Sequence, residues 1–265
     1  MSTALFLSPH LDDVAFSCGG TLAVLKSLGW QVALATVFTR SVPNPSGFAL
    51  ACQTDKGIAE QVDYMELRRQ EDQDFAARMG VDRMIWAGLP EAPHRGYGSA
   101  AELFQSPREE DTIHTKMVER LAPLMERLRP ELVFLPQALG GHVDHVQVTR
   151  LLPRLGLKPS QTLWYRDTPY AVRQPGARPD ASLPGNVQPL AVDMKHELKR
   201  KVSGCQCYRT QLGFQFGGAH EVGPTLEAFH HREAETLGAS GPAETFLAST
   251  TLDPALRREL TQKRG

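Results

Sequence analysis

Cysteine is scarce in this chain of 265 residues. Cys18, Cys52, Cys205 and Cys207 are too few for a disulfide scaffold, and Cys205-Gln206-Cys207 lacks the two-residue gap of zinc ribbons and dithiol redox sites. The four read as reduced thiols. An excess of either charge is also missing: lysine and arginine number 29 against 30 aspartate and glutamate, which gives no general positive field for nucleic-acid phosphates or anionic lipid. Long apolar runs are absent too. The first, residues 4–7, follows no basic start and is far shorter than a signal-peptide core or a membrane span. No nucleic acid, no membrane span and a cytoplasmic location are therefore expected. What remains, 41% hydrophobic and 22% charged residues over a length that buries a large core without staples, is the composition of a globular protein.

Residues 4–7 end at Ser8-Pro9, and residues 32–38 form a second apolar run rich in β-branched side chains; both read as buried strands. Between them Val14, Cys18, Leu22 and Leu25 recur at helical spacing, with Asp12 or Asp13 as a possible cap and Gly29 as the stop. Strand, helix and strand in that order predict a parallel pair. The alternation continues with a helix at 63–79 closed by Gly80, a strand near 83–86, a helix at 112–128, a strand at 132–135, helical pattern to Leu155 and a strand at 162–165. The expected fold is an α/β sandwich, a mostly parallel central sheet with helices on both faces, in a single domain over residues 1–265. Residues 41–57, 89–106 and 173–189 break the pattern and read as loop insertions. Further helices are expected at 194–206, 225–235 and 254–263.

Two clusters carry chemistry, His10-Leu11-Asp12-Asp13 and His142-Val143-Asp144-His145. Each follows an expected strand and opens an expected helix, and polar groups at the carboxyl ends of parallel strands converge whatever their separation in sequence. Two imidazoles and one carboxylate suit Zn²⁺ and leave its fourth position open, as a catalytic site requires. His10, Asp13 and His145 can supply them, with Asp12 and His142 unligated nearby. Zinc lowers the pKa of its water and polarises a carbonyl, while a free Asp12 carboxylate can take a proton during attack and return it to the leaving amine. His142 can stabilise the oxyanion, with Asp144 orienting its ring. The competing reading, helix-capping aspartates and solvated histidines, makes the strand-end placement a coincidence.

Ser8-Pro9-His10-Leu11-Asp12-Asp13 with Cys18-Gly19-Gly20 resembles the opening motif of the PIG-L/LmbE-like de-N-acetylase family, and His142-Val143-Asp144-His145 resembles its second motif. Arg68-Arg69-Gln70-Glu71 is similar to the family's Arg-x-x-Glu, and Tyr208-Arg209-Thr210-Gln211 to the stretch closing its C-terminal part. The resemblance implies a Rossmann-like fold and hydrolysis of acetamides on N-acetylglucosamine-type conjugates. It also implies His10, Asp13 and His145 as ligands of one Zn²⁺ (or another divalent transition metal such as Fe²⁺), Asp12 as base, His142 as oxyanion partner and Arg68 as a substrate contact. A helix salt bridge from Arg68 to Glu71 or Glu66 is the alternative for that arginine. Relatives are often oligomeric, so a homo-oligomer is possible.

The chain departs from the family pattern at Leu11 and Val143, where prolines are common, at Val14, and at Gly140-Gly141, where some relatives place a tyrosine. If an aromatic hydroxyl assists here, it must come from elsewhere. Gly19-Gly20 lies too far into the helix for a dinucleotide fingerprint. His94 reads as a loop histidine and Cys18 as core. The substrate is expected to be a small N-acetylated sugar conjugate whose remainder the loops select. A zinc amidase acting on a non-sugar amide and a non-catalytic zinc-binding protein are the competing functions. An intact Asp12 argues against the second.

Overall fold

In the computed structural model, which describes residues 2–239 and 241–262, the two N-terminal apolar runs become the strands Thr3–Ser8 (β1) and Gln31–Phe38 (β2). They pair in parallel from Thr3 opposite Gln31 to Ser8 opposite Thr36, and nearly all their side chains are buried, as in a sheet covered on both faces. Arg83–Leu89 (β3), Leu132–Pro136 (β4) and Thr162–Tyr165 (β5) extend the parallel set. Val187–Asp193 (β6) and Ala243–Ser249 (β7) complete a seven-stranded sheet in the order β3-β2-β1-β4-β5-β7-β6, with β7 antiparallel to β5 and β6.

Before β4 come the helices Asp13–Ser27 (α1), Gly47–Thr54 (α2), Tyr64–Met79 (α3) and Ile113–Leu128 (α4). After β4 come Val143–Thr149 (α5), Tyr170–Arg173 (α6), Leu198–Cys205 (α7), Arg209–Phe216 (α8), Ala219–Thr236 (α9) and Pro254–Thr261 (α10). One face of the sheet packs Phe6, Leu34, Phe134 and Leu163 against α1, α3 and α7 to α10; the other packs Leu5, Leu7, Val133 and Leu135 against α4 and α5. Phe6 and Phe134, register partners on β1 and β4, stack with ring centroids 4.2 Å apart. No helix among the described residues is long and apolar enough to cross a membrane.

The expected α/β architecture is present, with differences in detail. Residues 41–57 contain α2, and residues 89–106 contain the 3-10 turns Ala92–Arg95 and Glu102–Phe104. The end of the 173–189 stretch enters the sheet as β6. The helix expected to reach Leu155 stops at Thr149, and a 3-10 turn over Leu152–Leu155 follows around Pro153, which has no N–H to give. The helix expected at 194–206 begins only at Leu198, and α9 starts at Ala219, well before residue 225. Lys263, at the end of the expected terminal helix, lies outside the described residues.

Helix α1 is broken at Cys18, whose φ of −141° is not helical. The freed N–H groups of Gly20 and Thr21 donate to the Glu244 carboxylate at 2.9 and 2.5 Å, and Lys201, fully buried, pairs with the same carboxylate. Gly20 is required there: a Cβ would collide with Met194 Sδ and lie 2.9 Å from Glu244.

Candidate active site

The chain leaves β1 for β2 and β3 on one side of the sheet and then returns to lay β4 on the other, so strand order reverses between β1 and β4. A crevice opens at their carboxyl ends. His10, Asp12 and Asp13 follow β1 and His142, Asp144 and His145 follow β4, so the two motifs meet across this crevice. The centroids of the three imidazoles lie 5.0 to 5.3 Å from one another.

Asp13 Oδ2 is the hub. It lies 3.3 Å from His10 Nδ1 and 3.3 Å from His145 Nε2, and the three ligand atoms all fall within 4.8 Å of one another. Each imidazole is tied at its other nitrogen to a buried carboxylate: His10 Nε2 to Asp144 Oδ2 at 2.9 Å, and His145 Nδ1 to Asp167 Oδ1 at 2.6 Å. Burial alone would depress both imidazoles, but Asp13 with Asp144, and Asp13 with Asp167, raise them. A carboxylate behind a histidine is the usual way to fix its tautomer and strengthen it as a ligand. His145 Nε2 is buried without a hydrogen-bond partner, an orphan that the donor set explains if it faces a cation. Two imidazoles and one carboxylate with an unpaired ligand atom fit a divalent metal. His10, His142 and Asp144 form a second possible group, but Asp144 is already taken by the Ala92 N–H at 3.1 Å and by Arg95 at 2.8 Å.

Asp144 therefore departs from its expected role. Its carboxylate supports His10 and not His142, and against the upward push of burial Arg95 and His10 hold it far below the usual carboxylate range. His142 is oriented by the backbone instead: as N-cap of α5 its Nδ1 accepts the Asp144 N–H at 3.2 Å. That leaves the proton on Nε2. Burial and the neighbouring His10 push its pKa down to about 3, so the ring is a neutral donor.

The adjacent aspartates are driven in opposite directions. Burial raises Asp12 to about 7, opposed by the Arg68 guanidinium 3.7 Å away and aided by Asp13. Burial also acts on Asp13, but His145 and His10 outweigh it and lower Asp13 to about 2. Asp12 sits at the N-cap position of α1 yet makes no capping bond, and its φ of +156° is rare for a residue with a side chain. Such backbone strain costs about 1–3 kcal/mol and clusters at working sites.

Arg68 is buried at the pocket wall, where it pairs with Glu91 at 2.6 Å and donates to Leu11 O at 3.3 Å. The helix salt bridge to Glu66 or Glu71 does not form. Arg69 takes Glu66, and Glu71 accepts the Thr210 N–H at 2.8 Å and its hydroxyl at 2.7 Å. The Arg-x-x-Glu and Tyr208–Gln211 stretches thus dock on each other, and Gln211 Nε2 reaches the Tyr64 hydroxyl at 2.8 Å.

Over the candidate metal-ligating groups lies a pocket of about 240 Å³ walled by Phe48, Tyr64, Phe104, Tyr170 and Phe214. Tyr170 packs edge-on to His145 at 5.5 Å and lines the pocket, which puts a tyrosine at the site although Gly140-Gly141 carry no aromatic ring. Gly140, at φ +83°, makes room for it, since a Cβ there would lie 3.2 Å from the Tyr170 ring. Phe104 and Phe214 are 45% and 62% exposed at the rim. Asp167 and Tyr170 were not singled out from the sequence. Their one signal is position, just past the end of β5 at the same sheet edge.

A family model described as "PIG-L: GlcNAc-PI de-N-acetylase" matches residues 5–155. The chain is 34% identical over 211 residues to the 2'-N-acetylparomamine deacetylase of Streptomyces fradiae, covering 78% of this chain and 72% of that protein. It is 28% identical over 185 residues to the enzyme of the same name from Niallia circulans, covering 63% and 66%. A deacetylase of the teicoplanin biosynthesis pathway superposes with a TM-score of 0.78 at 22% identity, over 93% of this chain and 97% of that one.

Proposed function

The chain belongs to the PIG-L family of de-N-acetylases, and on that premise we propose that it removes the acetyl group from an N-acetylated amino sugar within a larger conjugate, with zinc held by His10, Asp13 and His145. It is an amide hydrolase acting on a carbon–nitrogen bond that is not a peptide bond. The observation that carries the assignment of roles is the split between the two neighbouring carboxylates, Asp13 kept ionised and Asp12 raised to about 7. Environments that push two titratable groups apart mark which is ligand and which is acid–base.

The ion, when bound, supplies Lewis acidity to the attacking water and the acetamide carbonyl. Asp12 Oδ accepts the proton that water loses as its oxygen bonds to the carbonyl carbon. The same proton passes to the sugar nitrogen as the C–N bond breaks, so acetate and a free amine result. His142 Nε2–H donates to the carbonyl oxygen as negative charge gathers there, and being neutral it does so without competing for the Asp12 proton. Arg68, anchored by Glu91, keeps part of the Asp12 population ionised at neutral pH. Phe104 and Phe214 offer ring faces to the C–H face of a sugar.

Acetate release from a panel of N-acetylglucosamine conjugates, with zinc added and with chelator, tests the reading. Chelator-sensitive release is expected. Asp12→Asn should abolish turnover while one metal ion per chain remains bound. Release of a different acid from a non-sugar amide would move the substrate class, and loss of metal in Asp12→Asn would make Asp12 a ligand.

A further inference from the structure

The stretch between β3 and α4 is fastened to the candidate metal site by one side chain. Arg95 closes the base of that loop: its Nη1 donates to Pro90 O at 2.8 Å, near the start, while Nε and Nη2 grip the two carboxylate oxygens of Asp111, near the end, at 3.2 and 2.9 Å. The same Nη2 lies 2.8 Å from Asp144 Oδ1, and the guanidinium rests 4.9 Å from the centroid of the Phe38 ring at the end of β2. Asp144 in turn holds His10 Nε2 through Oδ2, which also accepts the N–H of Ala92 from the same loop. A continuous line runs from Asp111 through Arg95 and Asp144 to His10.

Charge does not close along this line. The carboxylates of Asp111 and Asp144 are only 5% and 0% exposed, and among the described residues no lysine or arginine other than Arg95 forms an ion pair with either. Tyr97 donates its hydroxyl to Asp111 at 3.0 Å, which adds a hydrogen bond but no charge. Two carboxylates against one guanidinium leave a surplus negative charge out of reach of water, a costly state unless a further cation meets it. The one group left on Asp144 to carry that cation is His10, whose other nitrogen, Nδ1, faces Asp13 Oδ2. An ion held at Nδ1 supplies the balance without touching the loop.

We propose that Arg95 is a positioning residue for the metal site: through Asp144 it sets the ring of His10, and through Asp111 and Pro90 it fastens to the same point the loop that brings Leu103 and Phe104 to the pocket. The proposal rests on the reading of His10, Asp13 and His145 as ligands. The ligand set and the pocket wall are then assembled together. Linkage makes the effect reciprocal, so an ion at His10 firms the base of the loop, and loosening Arg95 weakens the hold on the ion.

The test reads zinc affinity, by competition with a chromogenic chelator, and amide hydrogen exchange across residues 90–112, in the full chain with and without zinc. Arg95→Met should weaken zinc binding about 10- to 100-fold, and Arg95→Lys, which keeps the charge but loses the fork, should recover part of that loss. Asp111→Asn keeps its shape, pairs with no candidate ligand, and decides the matter if Arg95→Met does not fold; it should weaken zinc about two- to tenfold. Added to Arg95→Met it should cost nothing further, because it acts through the missing guanidinium. Zinc should slow exchange of the Ala92 amide in the wild type and not in Arg95→Met. Glu102→Gln is the control: it loosens the outer part of the loop, where Glu102 accepts the Gly98 N–H and pairs with Arg108, and should leave zinc affinity unchanged. Zinc affinity unchanged in Arg95→Met or Asp111→Asn, an additive loss in the double variant, Ala92 exchange indifferent to zinc, or a loss in Glu102→Gln equal to that in Asp111→Asn overturns the proposal while the ligand set stands. A wild type that binds no divalent ion overturns the ligand set itself, and the proposal with it.

Discussion

Replacing Arg68 with methionine should move the acid limb of the pH–rate profile upward. In the proposed mechanism Asp12 works as a base only when ionised, and because burial raises its pKa, kcat/KM should fall as pH drops toward the acid side. Arg68 is the main group opposing the burial that raises Asp12, so removing its charge raises that pKa further. At the 3.7 Å separation of Arg68 Nη2 and Asp12 Oδ1, the interaction is worth about 4 kcal/mol at an effective dielectric of about 20 and about 1 kcal/mol in bulk water. At about 1.4 kcal/mol per unit, the limb should rise by about one to three pH units. Glu91, relieved of its partner, adds negative charge nearby and acts in the same direction. The assay is kcat/KM across pH 5 to 10 for the metal-loaded wild type and Arg68→Met, each normalised to its own plateau. Lost substrate contact changes the plateau height, whereas only a changed base moves the limb. An unmoved limb with reduced rate would refute Arg68 as the group that tunes Asp12.

Asp167→Asn keeps the shape of the carboxylate that anchors His145 Nδ1 but removes its charge, and should weaken metal affinity about 10- to 100-fold with protein stability little changed, as measured by competition with a chromogenic chelator. Lys201→Met strands the buried Glu244 carboxylate and should cost about 3–5 kcal/mol in urea unfolding, with the double substitution Lys201→Met/Glu244→Gln recovering part of the loss. Phe214→Ala should raise KM for sugar conjugates with kcat nearly constant, because the ring lies at the rim and touches no ligand atom; a matching fall in kcat would place it in the transition state.

The strands up to Tyr165 were legible because each is an apolar run bounded by a turn residue and each alternates with a helical pattern. β6 and β7 were not. β6 leaves Gln188 and Pro189 exposed at an edge of the sheet, and such half-buried strands lack the continuous apolar signal of β1 or β4. The six motif residues were readable because one turn carries each set, and the reversal of strand order brings the turns together. The partner of Asp144 was not readable: adjacency in sequence suggested His142, but at the start of α5 the Asp144 carboxylate turns to His10 and Arg95 while its N–H serves His142. Asp167 and Tyr170 stood outside every motif, so only the placement of β5 beside β4 brings them to the site.

The candidate chelating side chains stand on turns at the end of the central sheet, whereas the pocket above them is walled by Phe48 of α2, Phe104 of the 89–106 insertion and Phe214 of α8. This separation gives the molecule a division of labour. Under the proposed function, the sheet-edge turns would fix which bond is hydrolysed, and the inserted segments would fix which molecule brings that bond to them. Insertions there can be lengthened, recharged or exchanged while the distances among His10, Asp13 and His145 stay set by β1 and β4. Substrate range can therefore drift within such a lineage faster than chemistry.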